Sequence, residues 1–165
     1  MNLITKLLPP SMVVLDLEVG SKKRLFEQIG LMFENEKRIA MATVFESLFA
    51  REKLGSTGLG YAVAIPHGRI KGLRETCCAF IRTSAGVPFD SPDNTPVRLV
   101  FSMLVPEQAT EQHLQILSEL AQMFSDPAFR DALMAAPDAA AAHQLLVLWS
   151  PYAAVHAPSV RSASI

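Results

Sequence analysis

Val97-Arg98-Leu99-Val100-Phe101-Ser102-Met103-Leu104-Val105 is nearly continuous in apolar residues. A strand with one face in water alternates apolar and polar side chains, whereas a strand covered on both faces does not. The run therefore reads as the centre of a sheet lying between helical layers. Working outward, Thr76 to Thr83 and Tyr61 to Ile65 are further short apolar or β-branched runs bounded by Gly, Pro, Asp and Asn, and are expected as strands. Ser84 to Pro96, rich in those turn residues, is expected to form turns around one short extended piece at Val87 to Phe89.

Helical periods lie on either side. In Ser21 to Glu36 the residues Leu25, Ile29, Met32 and Phe33 share one helical face, with Ser21 as N-cap. Thr43-Val44-Phe45-Glu46 reads as a capping box opening a second helix, with Val44, Leu48 and Phe49 inward and a stop at Gly55, so Arg51 sits on its last turn. After Pro106, Leu114, Leu117, Leu120, Ala121 and Phe124 predict a third helix with His113 on its first turn. Asp126-Pro127 and Pro137-Asp138 open two more, burying Phe129 and Leu133, then Leu145, Leu146 and Trp149. Helices, strands, then helices give a single α/β domain over 1–149, in which helices cover a sheet whose connectivity periodicity does not reveal. The Pro, Ala and Ser of 150–165 have no apolar period and are expected as a disordered, mobile tail.

Composition narrows the function. The 165 residues carry 15 Lys+Arg against 16 Asp+Glu, a net charge of -1, and half of them are apolar. Such a chain can bury roughly 70% of its unfolded surface without a disulfide or structural metal. Its charge balance argues against nucleic acid or an anionic membrane as main partner, since both are held through many Lys/Arg contacts. The two cysteines, Cys77 and Cys78, are adjacent, and neighbours on a strand point to opposite faces, so they make no disulfide framework and simply fill a strand. No run of some 18 apolar residues offers a membrane span. The expectation is a cytoplasmic protein with no membrane insertion.

One segment stands apart, Gly55-Ser56-Thr57-Gly58-Leu59-Gly60-Tyr61-Ala62-Val63-Ala64-Ile65-Pro66-His67-Gly68-Arg69. Between Arg51 and Arg74 there are five basic residues against Glu52 alone. Glycines let backbone N–H groups approach an anion and hydroxyls add donors, so Ser56, Thr57, Gly58 and Gly60 have the composition of a phosphoryl cradle. Pro66 ends the preceding strand and is expected to present His67 at its edge on a tight Gly68 turn. A neutral imidazole is a nitrogen nucleophile near pH 7, which makes a phosphohistidine chemically sensible there.

Known nucleotide cradles do not fit. Gly55 to Gly60 is followed by Tyr61 and Ala62 rather than Lys and Ser/Thr, and Val63 stands where a dinucleotide fingerprint needs its third glycine. There is no nucleophile elbow, no His-Glu-x-x-His and no Cys cluster, so neither a cofactor nor a metal is expected. Each feature alone has an ordinary explanation: a turn histidine, a flexible Gly-rich loop, a helix-end arginine complementing the dipole. Their coincidence within the seventeen residues from Arg51 to His67 shifts the balance.

Arg51-Glu52-Lys53 through Gly55-Ser56-Thr57-Gly58 to Val63-Ala64-Ile65-Pro66-His67-Gly68 closely resembles the type-2 EIIA domains of the bacterial phosphoenolpyruvate phosphotransferase system (PTS), most of all their free-standing nitrogen-regulatory members. Pro88-Phe89-Asp90-Ser91-Pro92-Asp93-Asn94, Leu99-Val100-Phe101 to Val105-Pro106, and His113-Leu114 with Leu117 resemble the family's later blocks. The resemblance implies a mixed β-sheet flanked by helices on both faces. It implies that His67 is phosphorylated by HPr or a nitrogen-branch HPr analogue, with Arg51 and His113 steadying the phosphoryl oxygens. It suggests regulatory targets such as a potassium transporter or sensor kinase, and leaves room for a weak homo-oligomer. Two alternatives stay open: a fructose- or mannitol-type transport component passing phosphate to an EIIB domain, and a partner-binding module that is never phosphorylated. Leu54, Leu59 and Tyr61 offer apolar surface for a carrier or belong to the core. Ala62 stands where many relatives carry glycine, which matters only if its φ is positive, and Arg69 where they carry lysine.

Overall fold

The computed structural model describes residues 2–108 and 111–151, and within them β6 (Val97–Pro106) lies at the heart of a six-stranded sheet. The order is β1 (Val13–Leu17), β5 (Cys77–Val87), β6, β3 (Val63–Ala64), β2 (Gly58–Gly60), with β4 (His67–Ile70) also paired to β6. β1 runs parallel to β5, β5 antiparallel to β6, and β3 and β4 both parallel to β6, so the sheet is mixed. Leu99 through Val105 are buried without exception although successive side chains alternate faces, which requires helices on both sides. Phe101 meets Phe124 of α3 (Glu111–Phe124) at 6.4 Å between ring centres, and Phe124 in turn meets Phe129 of α4 (Pro127–Ala135). α1 (Lys22–Lys37) packs on β5 and on α2 (Met41–Glu52), α2 packs on β4, and α5 (Ala139–Leu148) lies beside β1.

Several ends are sealed as the sequence predicts. Arg24 N donates to Ser21 Oγ at 3.1 Å, Ala128 N to Asp126 Oδ1 at 3.0 Å and Ala141 N to Asp138 Oδ1 at 2.8 Å. The second helix differs. It starts at Met41, two residues before the expected capping box, because Met41 N donates to Glu34 Oε2 across the α1–α2 junction at 3.0 Å. A tertiary carboxylate replaces the local cap, and Thr43 lies inside the helix. α3 is rotated from its predicted face: His113, Ile116, Leu120, Met123 and Phe124 are buried, whereas Leu114 is 65% exposed. β5 runs on through residues 84–86, where turns are expected, to join the extended piece expected at Val87, and β1 lies outside every expected strand. The tail expected at 150–165 lies almost wholly outside the described residues.

Tyr61 and Ala62 are not strand but the turn joining β2 to β3, at φ 56° and 66°. Tyr61 N donates to Asp93 Oδ2 at 2.8 Å, and Ala62 O accepts from Arg98 N at 2.8 Å and Leu99 N at 2.9 Å, so the surrounding bonds hold two side-chain-bearing residues left-handed. Ala62 thus occupies a position that favours glycine. Ala62→Gly is expected to raise stability by about 1 kcal/mol, the left-handed penalty outweighing the extra chain entropy of glycine. Urea unfolding reads this directly, and an unchanged or lower midpoint would refute it.

Candidate functional site

The chain does not turn at Gly68. After Pro66 it resumes as β4, with His67 opposite Met103 and Gly68 opposite Leu104, and Met103 N donates to Pro66 O at 3.1 Å. Proline lacks only a donor, and its acceptor still serves the ladder. Gly68 is needed for closeness: a Cβ there would collide with Ser47 Oγ and lie 3.1 Å from the Ser47 backbone carbon. That approach seats α2, and with it Arg51, against the strand bearing His67.

His67, half-buried at the start of β4, has Nδ1 2.8 Å from Ile65 O. A carbonyl only accepts, so Nδ1 carries the proton and Nε2 the lone pair. The His113 ring stands edge-on at 5.2 Å between ring centres, and its Nε2 is buried with no partner among the described residues. A cleft of about 730 Å³ is lined by both histidines with Arg51, Arg69, Lys71 and Leu54. Arg51 Nη1 donates to Gly55 O at 2.7 Å, and Arg69 Nη1 to Glu107 O at 2.8 Å.

Both imidazoles are held below their usual range near 6.5. Burial is the main cause for each; the positive charges of Arg51 and Arg69 add to it for both, and His67 itself adds to it for His113. Each is therefore neutral at pH 7, as a nitrogen nucleophile requires. Between its lowered value and about 6.5, the unfolded chain binds protons that the folded one refuses. The neutral rings thus add stability above pH about 6.5 that is lost as pH falls through that window. The drop in urea midpoint from pH 7.5 to 5.5 is expected to be smaller in the His67→Gln/His113→Gln double variant than in wild type. Equal drops would refute the assignment.

The structure brings His67, His113 and Arg51 together but turns the expected cradle inward. Thr57 N and Oγ1 both donate to Glu52, Ser56 Oγ donates to Phe89 O at 2.6 Å, and Gly58 N donates to Ser56 Oγ at 3.1 Å. Thr57 and Gly58 are buried, and the residues 56–60 do not line the cleft. Gly60, at φ 89°, serves the β2–β3 turn. Arg69 in β4 and Lys71 just beyond its end are further cleft cations; their period-2 spacing from His67 is the signal for them in the sequence. Leu54 (84%), Tyr61 (66%) and Leu59 (41%) are exposed rather than core.

Among the described residues no three His, Cys, Asp or Glu side chains gather as a metal would require, and no helix is long and apolar enough to cross a membrane. Cys77 and Cys78 are buried, which pushes the Cys77 thiol up to about 11 and that of Cys78 well above its ordinary value.

Residues 6–147 match the family model described as phosphoenolpyruvate-dependent sugar phosphotransferase system, EIIA 2. The nitrogen regulatory protein of Pseudomonas aeruginosa is 43% identical over 145 residues, 87% of this chain and 94% of that protein. The crystal structure of nitrogen regulatory protein IIA-Ntr from Neisseria meningitidis superposes with a TM-score of 0.84 at 55% identity, covering 88% of this chain and 99% of that one. The Escherichia coli mannitol enzyme IIA, solved in complex with phosphorylated enzyme IIB, shares the fold at TM-score 0.68 and 20% identity, over 82% and 94% of the two chains.

Proposed function

The chain belongs to the phosphoenolpyruvate-dependent sugar phosphotransferase system EIIA 2 family, and on that premise we propose that it is a regulatory phosphocarrier taking a phosphoryl group onto His67 from an HPr-type donor. The observation that carries this reading is the His67 ring, protonated at Nδ1 by its bond to Ile65 O and so nucleophilic at Nε2. In the transfer, the Nε2 lone pair forms a new N–P bond as the donor's N–P bond breaks and its electron pair returns to the donor imidazole. No proton need leave His67, because Nδ1 keeps its own. Ile65 O then stabilises the positive charge that the ring acquires.

Arg51 and Arg69 are the cleft's guanidinium donors for the phosphoryl oxygens, and the unpartnered His113 Nε2 is a further group suited to bond one. Positioning and electrostatics suffice for such a transfer. The cradle role expected of Ser56, Thr57, Gly58 and Gly60 is left without free donors at Thr57 and Gly58, so the proposal rests on side chains instead. Likeness to nitrogen regulatory proteins favours signalling by phosphorylation state over feeding a sugar permease. The transfer sets a dianionic phosphoryl group beside a cationic ring, a net change of about one negative unit at His67 that is enough to change which target docks there.

Intact mass after incubation with phosphoenolpyruvate, the general PTS enzyme and HPr or its nitrogen-branch analogue tests the reading. An acid-labile gain of one phosphoryl group, located at Nε2 by nitrogen–phosphorus coupling, is expected. No gain with competent donors would overturn it in favour of a binding module.

A further inference from the structure

Glu52, the last residue of α2, is 8% exposed, yet its carboxylate has every reason to be in water. It accepts from Thr57 N at 3.2 Å on each oxygen, from Thr57 Oγ1 at 2.6 Å, and from Lys22 Nζ at 3.0 Å. A buried carboxylate is tolerated only when its lone pairs are matched in this way, and removing a partner from such a set is costly. What the set holds is the turn from Glu52 to Thr57. Leu54 N donates to Arg51 O at 3.1 Å and Gly55 N to Glu52 O at 3.1 Å, so the same residue grips the turn by its backbone at one end and its side chain at the other. At the middle of that turn, Gly55 O takes the 2.7 Å bond from Arg51 Nη1. Lys22 also lies over the Phe89 ring, 4.8 Å from its centre, and Ser56 Oγ is bonded to Phe89 O, which fastens the turn to the next loop.

We infer that Glu52 is a positioning residue for phosphoryl transfer: its carboxylate, seated by Thr57 and Lys22, fixes the turn whose Gly55 carbonyl aims the Arg51 guanidinium at the phosphoryl group on His67. The inference rests on the reading of His67 as acceptor. Its physical content is preorganisation. An arginine left free on a helix end must surrender rotamer freedom at the moment of reaction, whereas one already tethered does not. Thr57 is thereby given a role other than phosphoryl ligand, and Glu52, the one acidic residue of the basic stretch, is explained.

The charged and titratable groups around His67 are Arg51, Glu52, Arg69 and His113, with Glu46, Lys71 and Glu107 also lining the cleft. Loss of the Glu52 charge alone lowers the His67 titration, whereas release of Arg51 raises it. A double-mutant cycle separates the two routes. Glu52→Gln is expected to slow phosphoryl uptake about tenfold, and to slow it no further when Arg51 is already alanine. The His67 titration, followed by imidazole NMR without any donor, is expected to fall on Glu52→Gln in the Arg51→Ala background and to fall less, or rise, when Arg51 is present. Should Glu52→Gln not fold, Thr57→Val, which removes only the 2.6 Å bond, takes its place in the same cycle, and Thr57→Ser is expected to restore the rate. Equal losses in both backgrounds, no loss with Arg51 present, or identical titration changes would each overturn the proposal. If wild-type protein takes up no phosphoryl group, the functional reading falls separately, and the titration arm still decides whether Glu52 acts through Arg51.

Discussion

His67→Ala is expected to gain no phosphoryl group from a donor that labels the wild-type protein fully, while Arg51→Ala still gains it, about a hundredfold more slowly. The first variant removes the nucleophilic nitrogen itself, and no other histidine of the described residues can replace it. His113 lines the same cleft, but its Nε2 is buried and out of reach of an incoming donor. His143 has Nε2 2.8 Å from Leu8 O, a packing bond between α5 and the N-terminal segment. The second variant removes one preorganised donor to the developing charge, a loss worth about 10²–10³ in rate where a single oxyanion-hole donor is deleted, and leaves the bond-forming atoms in place. Timed intact-mass measurement separates an absent gain from a delayed one. Normal labelling of His67→Ala would sink the assignment, and an unchanged rate for Arg51→Ala would remove the guanidinium from the transfer.

The sequence reveals the acceptor more readily than its surroundings, for a physical reason. Pro66-His67-Gly68 advertises itself because proline and glycine restrict or free the local backbone whatever the rest of the chain does. The Gly55 to Gly60 link advertises itself for the same reason, but which group its donors serve depends on Glu52 and Phe89, whose spatial placement no local pattern encodes. The sheet centre at β6 is legible because coverage on both faces leaves a continuous apolar run. β4 is not, since His67-Gly68-Arg69-Ile70 mixes charge and glycine and becomes strand only by pairing with Met103 to Pro106. β1 is short and follows Pro9-Pro10, which hides a five-residue strand that pairs with β5. On α3 the apolar period fits two faces a residue apart, and the structure selects the one that turns His113 inward and leaves Leu114 outside.

The second large effect concerns stability and lies away from the cleft. Arg82 sits in β5 opposite Leu99, 7% exposed, and points at the C-terminal end of α4. Its Nη1 donates to Leu133 O at 2.9 Å, Met134 O at 3.1 Å and Ala136 O at 2.9 Å, and its Nη2 to Asp16 Oδ1 at 3.2 Å. The last carbonyls of a helix have no partner within it, so one guanidinium adds to the single backbone bond from Ala136 N to Leu133 O in capping α4. Two contributions compete as the source of its worth. The Asp16 side chain is 66% exposed, and an ion pair so open to water contributes no more than about 1 kcal/mol. Without Arg82, Leu133 O keeps its bond from Ala136 N at 3.4 Å, but Met134 O and Ala136 O lose this donor, at about 1–3 kcal/mol for each carbonyl left bare, so they dominate. Arg82→Met is therefore expected to lower unfolding stability by about 2–6 kcal/mol, from two carbonyls left without a donor at about 1–3 kcal/mol each. Asp16→Ala is expected to cost less than about 1 kcal/mol, and Arg82→Lys to fall between, because one ammonium cannot span three carbonyls and a carboxylate. Urea unfolding of the three variants at pH 7 measures this order. If Asp16→Ala proves as damaging as Arg82→Met, the ion pair rather than the helix cap holds α4 to the sheet.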